Sequence, residues 1–361
     1  MQNLKEPPIL FVNFSQSWGG GEKWHLMAAQ ELSQRGYAVE IVARRRSELA
    51  RMATRNAVPC VVFPVGPQAF ANPLTMMRLA AYLQKQRPGA VILNGSRELK
   101  TIGFLAHVMK IPRIVYRRGI PKPIRPSLVN RLFFTRVVTD IVVNSRATQQ
   151  ALHELSDLPG CAPMTLLYNG LAVREQHQAQ RHSRRIAVVG RLSPEKGVDL
   201  ALQAFQIIAR DVPAARLRII GDGPERAQLE ALSRDLQIAG QVEFMGFVDD
   251  IFDPLSECAL LMLPSRWEGF GNVLLEAMQL AMPCVAFSHT SASEIIEDGV
   301  TGCLVEPLNV VQLAAHIVAF LLNPERIERM GQAGYARLCS HFSLQRSIDQ
   351  LETLLGLKRE M

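Results

Sequence analysis

The sequence predicts an α/β protein built from two doubly wound parallel sheets, and three observations support this. Short apolar, β-branched runs alternate with longer segments that have a helical spacing of apolar residues. This series of alternating strand and helix patterns occurs twice in the 361 residues, once in each half. A polar segment without apolar periodicity, residues 174–185, separates the two halves. Apolar runs too short to alternate in polarity, each followed by a helix, indicate parallel strands covered on both faces.

In the first half, six apolar runs predict strands and three helical patterns lie between them. The strands are 9–14, 38–43, 60–63, 90–93, 113–116 and 140–143, and the helices 21–34, 74–86 and 145–155. The second half repeats the scheme with strands at 186–190, 216–220, 242–244, 259–263, 284–287 and 303–305, and helices at 198–210, 224–236 and 311–322. We therefore expect Rossmann-like domains at 1–175 and 182–343. A last helical pattern, 344–358, opens a segment, 344–361, that is expected to pack back on the first domain.

Composition narrows the class of protein. Hydrophobic residues make up 48% and charged residues 20%, which excludes disordered, collagenous and coiled-coil proteins. No run approaches 18 uninterrupted apolar residues, and the first residues lack the pattern of a secretory signal. The six cysteines are scattered without a CxxC pair, so we expect reduced thiols in a cytoplasmic protein, with neither a zinc site nor disulfides.

Charge is distributed unevenly between the halves. Residues 1–180 carry 23 basic and 10 acidic side chains, whereas residues 181–361 carry 17 and 23. The densest basic stretch, residues 113–136, interleaves Arg and Lys with Leu132, Phe133 and Phe134. This mixture predicts peripheral binding to an anionic membrane surface, with a solvated basic helix face as the alternative. No recognised nucleic-acid-binding motif is present, so nucleic acid is not an expected partner.

The loops that follow the strands are the places where ligands bind in open α/β sheets. After the first strand comes Gly19–Gly20–Gly21, where the backbone can approach an anion at a helix start. The loop at 190–197, GRLSPEKG, places Arg191 and Lys196 on either side of a helix start expected at Ser193 and Pro194. Two cations and a helix dipole suit a diphosphate, although a solvated basic turn is the alternative.

Three further loops follow strands of the second half. Gly221 and Gly223 form a turn into a helix, and the turn at 246–250 offers backbone groups near Val248. The strongest signal is PSRWEGFGNVLLEA, residues 264–277, in which a glycine-rich loop leads into a helix beginning near Asn272. Glu268 lies in that loop and Glu276 one turn inside the helix, so both carboxylates can point at one ligand. Carboxylates bind sugar hydroxyls, while amides near Gly269–Gly271 suit a phosphate or hydroxyl.

These motifs together resemble the retaining glycosyltransferases of family 4. EGFGNVLLE at 268–276 is similar to their E-x7-E signature. GRLSPEKG at 190–197, GDGPE at 221–225, GFV at 246–248, YNG at 168–170 and the glycine-rich start at 19–22 match in order and spacing. The resemblance implies a GT-B fold, in which two Rossmann-like domains face each other across a deep cleft, with the nucleotide-sugar donor on the second domain and the acceptor on the first.

The resemblance implies a role for each residue that matches a family motif. Arg191 and Lys196 would neutralise the donor diphosphate without a metal ion, which agrees with the lack of a D-x-D motif. Glu268 would contact the donor sugar and Glu276 the ribose. The donor-binding positions would be Gly20, Gly21, Gly190, Gly221, Gly223, Val248, Phe270, Gly271, Asn272 and Glu276. No metal and no cofactor other than the donor substrate is expected.

One departure from the family concerns the residue after the strand at 113–116, where a histidine is common. This chain has Tyr116, Arg117, Arg118 and Gly119 there. We expect either a charge-stabilising role for Arg118 or a different position of the acceptor, because an arginine cannot act as a general base at a pKa above about 12.

The function predicted on this basis is metal-independent, retaining transfer of a hexose-type sugar from a nucleotide-diphosphate sugar, for which UDP-sugars are the commoner donors in the family. The acceptor is expected to be a glycan, a lipid-linked sugar or a lipopolysaccharide precursor at the cytoplasmic face of the inner membrane. Two alternatives remain open: a nucleotide-sugar epimerase of the same fold, and a non-catalytic sugar-nucleotide-binding protein. A nicotinamide dehydrogenase is excluded because no GxGxxG run with a following acidic residue occurs.

Overall fold

The computed structural model describes residues 7–66, 68–125, 127–175, 184–289 and 291–357. The chain divides into two compact units, of which the first comprises Met1–Tyr168 with Ser347–Met361 and the second Asn169–Arg346. Residues 176–183 of the predicted linker and 358–361 of the predicted C-terminal segment lie outside the described residues. None of the helices within the described ranges is long and apolar enough to cross a bilayer.

The first unit contains a seven-stranded, wholly parallel sheet with the strand order β3-β2-β1-β4-β5-β6-β7. Its strands are β1 Ile9–Asn13, β2 Val39–Arg44, β3 Cys60–Phe63, β4 Ala90–Leu93, β5 Arg113–Arg118, β6 Asp140–Val143 and β7 Met164–Leu166. Six of these strands were predicted. The edge strand β7 was missed because it has three residues, none fully buried, and its threonine is exposed, so it carries no apolar run.

The second unit contains a six-stranded parallel sheet with the order β10-β9-β8-β11-β12-β13. Its strands are β8 Arg185–Val189, β9 Arg216–Ile220, β10 Val242–Gly246, β11 Leu260–Leu263, β12 Cys284–Phe287 and β13 Gly302–Val305. All six were predicted, within two residues at each end. The residues of β11 and β12 are all buried, which explains why these strands read as continuous apolar runs.

Helices cover both sheets. Those before the second sheet are α1 Gly20–Gln34, α2 Glu48–Arg55, α3 Pro73–Gln86, α4 Ser96–Glu98, α5 Phe104–Val108, α6 Leu128–Leu132, α7 Arg146–Ala151 and α8 His153–Ser156. Those that follow are α9 Val198–Asp211, α10 Arg226–Asp235, α11 Phe252–Ser256, α12 Asn272–Gln279, α13 Ala292–Ile295, α14 Val310–Leu321, α15 Pro324–His341 and α16 Leu344–Leu355. Short π-helical turns follow α4 and α6, at Leu99–Gly103 and Phe133–Val137.

Two helix predictions need correction. The single helix expected at 145–155 is two short helices, since Leu152 leaves the helical region with φ −106° and ψ 12°. The helix expected to begin at Ser193 and Pro194 is a 3₁₀ turn over Pro194–Lys196, and α9 begins only at Val198. Gly197 separates the turn from the helix with a left-handed φ of 63°.

Each sheet has a point where the strand order reverses, between β1 and β4 in the first unit and between β8 and β11 in the second. Loops that leave the carboxyl ends of these neighbouring strands diverge to opposite faces and open a crevice. The loops after β8 and β11 are the segments 190–197 and 264–271, which were singled out from the sequence. The fold therefore brings the two strongest motifs of the second half to one edge of one sheet.

Candidate functional site

The loops after β8, β9 and β11 pack backbone against backbone. A Cβ atom added to Gly197 would lie 2.1 Å from the carbonyl oxygen of Pro264, and one added to Gly223 would lie 2.3 Å from that of Leu192. The Leu192 amide donates to the Asp222 carbonyl over 3.0 Å. Side chains would hold these loops apart, so the glycines allow the loops to form one continuous surface.

Lys196 and Glu268 are in direct contact at this surface. The Lys196 Nζ lies 2.6 Å from Oε1 of Glu268, and the Ser265 hydroxyl donates to the same oxygen over 2.9 Å. The Glu268 side chain is 9% exposed and that of Lys196 is 27% exposed. Among the described residues, Oε2 of Glu268 has no protein hydrogen-bond donor. One carboxylate oxygen is therefore held by the protein, and the other is available to a ligand hydroxyl.

Arg191 and Glu195 belong to the loop that carries Lys196. Arg191 is exposed, and the Ser193 hydroxyl donates to Oε1 of Glu195 over 2.8 Å. Desolvation of Glu195 opposes ionisation, but the Ser193 hydrogen bond and the charges of Lys196 and Arg191 lower the pKa of this carboxyl below its usual value. The loop thus combines two cations with an acid that is stabilised in its charged form.

The loop after β11 ends at the N-terminus of α12. Gly271 precedes the helix with φ 84°, a left-handed conformation that favours glycine. The Asn169 side-chain amide donates to Oδ1 of Asn272 over 2.8 Å. Glu276 is 8% exposed in the second turn, and the Phe270 ring packs against Phe342 in the interior. Only the main chain of Phe270 can therefore face a ligand, as the sequence analysis assumed.

The remaining predicted donor-binding residues of the second unit flank this surface. Gly190 has φ 156° and the Gly221 amide donates to the Gly246 carbonyl over 2.8 Å. Val248 follows β10 and is half-buried, while the neighbouring Phe247 is 63% exposed. Phe247 was not among the predicted site residues, although an aromatic residue directly after a strand end is the available signal.

In the first unit, a buried polar network supports the glycine-rich loop after β1. The Asn13 side-chain amide donates to Oε1 of Glu22 over 3.2 Å, and the Phe14 amide donates to Oε1 of Glu98 over 2.6 Å. Gly20 and Gly21 are the first residues of α1, and a Cβ atom on Gly21 would lie 3.1 Å from the Asn94 side chain. Burial raises the pKa of Glu98. This network fixes the loop at the switch point of the first sheet.

Arg117 is the residue that sequence reasoning missed. Its guanidinium carbon lies 4.2 Å from the Trp24 ring centroid, and Nη1 donates to Oδ1 of Asn94 over 3.4 Å. Burial lowers the pKa of Arg117 to about 9. The nearby His25 is wholly buried, and desolvation together with the charge of Arg117 lowers its pKa to about 3. A charged residue within a buried strand was the available signal.

Arg118, which was predicted to be catalytic, holds the loop that follows β5. Its Nε donates to the Ile120 carbonyl and its Nη2 to the Lys122 carbonyl, each over 3.1 Å. Two of its donor groups are thus used within the chain, and the charge-stabilising role stays a prediction.

A metal site is not evident in the part of the chain that the structure describes. No group of three or more His, Cys, Asp and Glu side chains is arranged there to hold an ion. The expectation of metal-independent chemistry stays a prediction.

The two parallel, helix-covered sheets are those of α/β proteins of the GT-B class, and the comparisons with known proteins address the family. A family model for Glycosyltransferase Family 4 matches residues 18–175, and one for Glycosyl transferases group 1 matches residues 172–337. Together the two models span residues 18–337, and both describe glycosyltransferases, as the sequence motifs predicted.

Individual relatives agree with this family. The alpha-D-kanosaminyltransferase of Streptomyces kanamyceticus is 34% identical over 178 residues, which cover 49% of this chain and 45% of that protein. The chain matches about half the length, or less, of the first curated relatives.

Solved structures are similar over almost the whole chain. HepE of Anabaena, crystallised with UDP and glucose, has a TM-score of 0.83 at 21% identity, covering 98% of this chain and 100% of that one. The lipopolysaccharide outer core galactosyltransferase WaaB has a TM-score of 0.74 at 16% identity, covering 97% and 99%. At these identities the likeness establishes the GT-B fold.

Proposed function

We propose that the protein is a retaining glycosyltransferase that moves a hexose-type sugar from a nucleotide-diphosphate sugar to a hydroxyl acceptor without a metal ion. The observation that carries the proposal is the Lys196–Glu268 contact at the switch point of the second sheet, 2.6 Å long. It places a partly exposed cation beside a carboxylate with one unoccupied oxygen. A sugar attached to a diphosphate needs both groups, one for its hydroxyls and one for its phosphates.

The roles of the residues follow from charge. When the glycosidic C–O bond breaks, the nucleotide diphosphate leaves with the electron pair, and negative charge builds on its outer phosphate. Lys196, Arg191 and the amides at the start of α12 stabilise that charge. Oε2 of Glu268 accepts a hydrogen bond from a sugar hydroxyl, and Glu276 binds the ribose.

Retention of configuration follows if the acceptor attacks on the face that the leaving group vacates. The acceptor oxygen forms the new C–O bond, and its proton passes to a phosphate oxygen of the departing diphosphate. No protein nucleophile is required in this scheme. The identity of the donor as a UDP-sugar is supported by the solved neighbour HepE, which was crystallised with UDP and glucose.

The acceptor is proposed to be a glycan or lipid-linked sugar, such as a lipopolysaccharide precursor, at an anionic membrane surface on the cytoplasmic side. Support comes from the first unit, where Leu128, Val129 and Leu132 are 85%, 53% and 59% exposed on α6. The basic residues Arg125 and Arg131 lie beside them in sequence. Of the aromatic residues expected on this surface, Phe134 is buried in the core, so its predicted contribution was wrong.

Substitution of the two cations tests the reaction. Lys196→Ala and Arg191→Ala should each lower the rate of transfer by on the order of 10²–10³-fold, because each removes a charge from the site of the leaving group. The assay is release of UDP from a panel of UDP-sugars, with acceptor or with water alone. Arg185→Ala, at the opposite end of β8, is the matched control and should keep the rate. Unchanged turnover in both site variants would refute the assignment.

The same assay separates the alternatives. An epimerase would convert one nucleotide sugar into another without release of UDP, and a non-catalytic binding protein would be stabilised against heat by the donor without consuming it. Product analysis by NMR decides between these outcomes and also gives the anomeric configuration.

A further inference from the structure

Arg266 links the two loops that carry the proposed catalytic pair. It lies after β11, two residues before Glu268, and its guanidinium forms two hydrogen bonds of 2.7 Å to the carboxylate of Asp199. Asp199 is the second residue of α9, directly after the loop that carries Lys196. One side chain of the β11 loop therefore holds the helix that follows the β8 loop.

Two further contacts of Arg266 reach the β8 loop itself. Its Nη1 donates to the Pro194 carbonyl over 2.9 Å, and its own amide donates to the Glu195 carbonyl over 2.9 Å. The His289 ring contacts the carbonyl of Arg266. Arg266 therefore bonds to the main chain just before Lys196, at Pro194 and Glu195, and to the side chain of Asp199 just after it.

The ion pair of Arg266 and Asp199, which we call the clamp, is partly exposed and borders a cavity that the core residue Leu229 also lines. Arg266 and Asp199 are 35% and 33% exposed, and with Pro194 and Glu225 they line a cavity of about 370 Å³. Both side chains are partly exposed, so we expect the main effect of removing the Arg266 side chain to be the release of one loop from the other. The hydrogen bonds from Arg266 lower the pKa of Asp199, so the pair stays charged at neutral pH.

We propose that Arg266 is a positioning residue, which with Asp199 holds the loop of Lys196 in register with the loop of Glu268. The proposal rests on the function proposed above. A planar guanidinium suits this task because it binds both carboxylate oxygens and still reaches a carbonyl, whereas an ammonium acts as a point charge. A displacement of about 1 Å in a catalytic group can lower a rate by about 10²-fold.

Steady-state kinetics of donor consumption test the clamp. Arg266→Ala should lower kcat by about 10- to 100-fold, with a donor KM within about threefold of that of the unmodified protein. The kcat of Arg266→Lys should lie between those of Arg266→Ala and the unmodified protein. Asp199→Ala should lower kcat similarly. The double variant should be no slower than the slower single variant, because both substitutions break one link. Arg185→Ala, which removes a partly buried arginine–carboxylate pair at the other end of the sheet, is the control.

Two results would overturn the proposal. One is a kcat of Arg266→Ala equal to that of Arg185→Ala, and the other is multiplication of the two single losses in the double variant. Thermal unfolding of each variant shows whether it is folded. If Arg266→Ala fails to fold, Arg266→Lys and Asp199→Ala decide the question on the same criteria.

Hydrogen exchange distinguishes failure of the clamp from failure of the proposed function. Amides of the segment 193–197 should exchange faster in Arg266→Ala than in the unmodified protein, and those of β8 should not change. Equal exchange in 193–197 contradicts the clamp even if the enzyme is active. A protein that consumes no donor contradicts the proposed function, and the exchange comparison then still decides whether Arg266 restrains the loop.

Discussion

Gly221 shows, at the scale of one residue, why the loops around the candidate donor site carry glycine. Its φ is 139°, and a Cβ atom on it would lie 1.9 Å from the carbonyl oxygen of Gly190. No rotamer change relieves a clash with backbone, so any side chain at this position separates the loops after β8 and β9.

Gly221→Ala should therefore lower the free energy of unfolding by roughly 2–4 kcal/mol, from combined strain and overpacking. Urea denaturation measures this change. Gly240→Ala is the matched control, because a Cβ atom there has nothing within 4 Å. A Gly221→Ala protein as stable as Gly240→Ala would contradict the packing described for these loops.

A second prediction for a single residue concerns the buried His25. Its pKa is about 3 in the folded protein, against 6.5 for an ordinary histidine. Below pH 6.5 the unfolded chain binds a proton that the native chain does not, so stability falls as the pH falls towards 3. Between pH 7 and pH 5 this group should reduce the free energy of unfolding by about 2 kcal/mol.

Denaturation at pH 7 and at pH 5 measures this difference. His25→Gln should show a smaller difference between the two pH values than the unmodified protein, whatever its absolute stability. The comparison should be made with His153→Gln, a substitution of the same kind at an exposed site. An identical pH dependence for all three proteins would contradict the buried, neutral state of His25.

At the scale of elements, one arginine makes the ion pairs that tie helix α16 to the first unit. The Arg35 guanidinium lies 2.6 Å from Asp349 and 3.0 Å from Glu352, and Nε contacts Glu31 at 3.0 Å. The Ser347 hydroxyl also donates to the Tyr168 carbonyl over 2.8 Å. The expected return of the C-terminal segment to the first domain thus has a specific set of polar contacts.

Arg35→Ala should destabilise the docked helix by about 2 kcal/mol, because it leaves the Glu352 carboxylate, 7% exposed, without its cation. Limited proteolysis should then cut within α16 sooner than in the unmodified protein. Arg51→Ala, which removes an exposed ion pair with Glu48, should change stability by less than about 1 kcal/mol. Equal resistance of both variants to proteolysis would count against the role of Arg35.

At the scale of the whole molecule, the uneven charge of the two halves carries a prediction about membranes. The exposed leucines of α6 should insert shallowly into an anionic bilayer, and the neighbouring arginines should be attracted to its charged surface. The protein should float with vesicles that contain anionic lipid at low salt and remain at the bottom with neutral vesicles.

Leu128→Glu combined with Leu132→Glu should reduce flotation by at least about tenfold, as it replaces apolar insertion with charge repulsion. Leu322→Glu, on an exposed leucine of the second unit, is the control and should float like the unmodified protein. Flotation that is independent of both lipid charge and the α6 leucines would refute this surface.

Much of the architecture was predictable because parallel strands that are buried on both faces appear in the sequence as continuous apolar runs. Runs such as 259–263 and 284–287 are apolar throughout, since both faces of those strands are covered. The edge strand β7 and the interruption at Leu152 were not predictable on this basis. A half-exposed strand of three residues is too short to give an apolar run. One residue with non-helical dihedral angles leaves the apolar spacing of the surrounding helix unchanged.

The candidate site was predictable as a set of loops, and its contacts were not. Lys196 and Glu268 were singled out because each follows a strand, but they are 72 residues apart in the sequence. Only the pairing of β8 with β11 brings their loops to one edge. The clamp of Arg266 on Asp199 likewise depends on that pairing, and nothing in the local sequence distinguishes it from a solvated surface arginine.

The sequence by itself determined the two parallel sheets, the family and the loops where chemistry is expected, because these depend on local apolar patterns and on motifs of neighbouring residues. Only the tertiary structure showed that the neighbours Arg117 and Arg118 have different environments. Successive residues of β5 point to opposite faces of the sheet, so burial of Arg117 against Trp24 and the attachment of Arg118 to the following loop depend on what packs on each face. The partners of Arg117, which are Trp24 and Asn94, lie far from it in the chain, whereas Arg118 bonds to carbonyls of the loop that follows it directly.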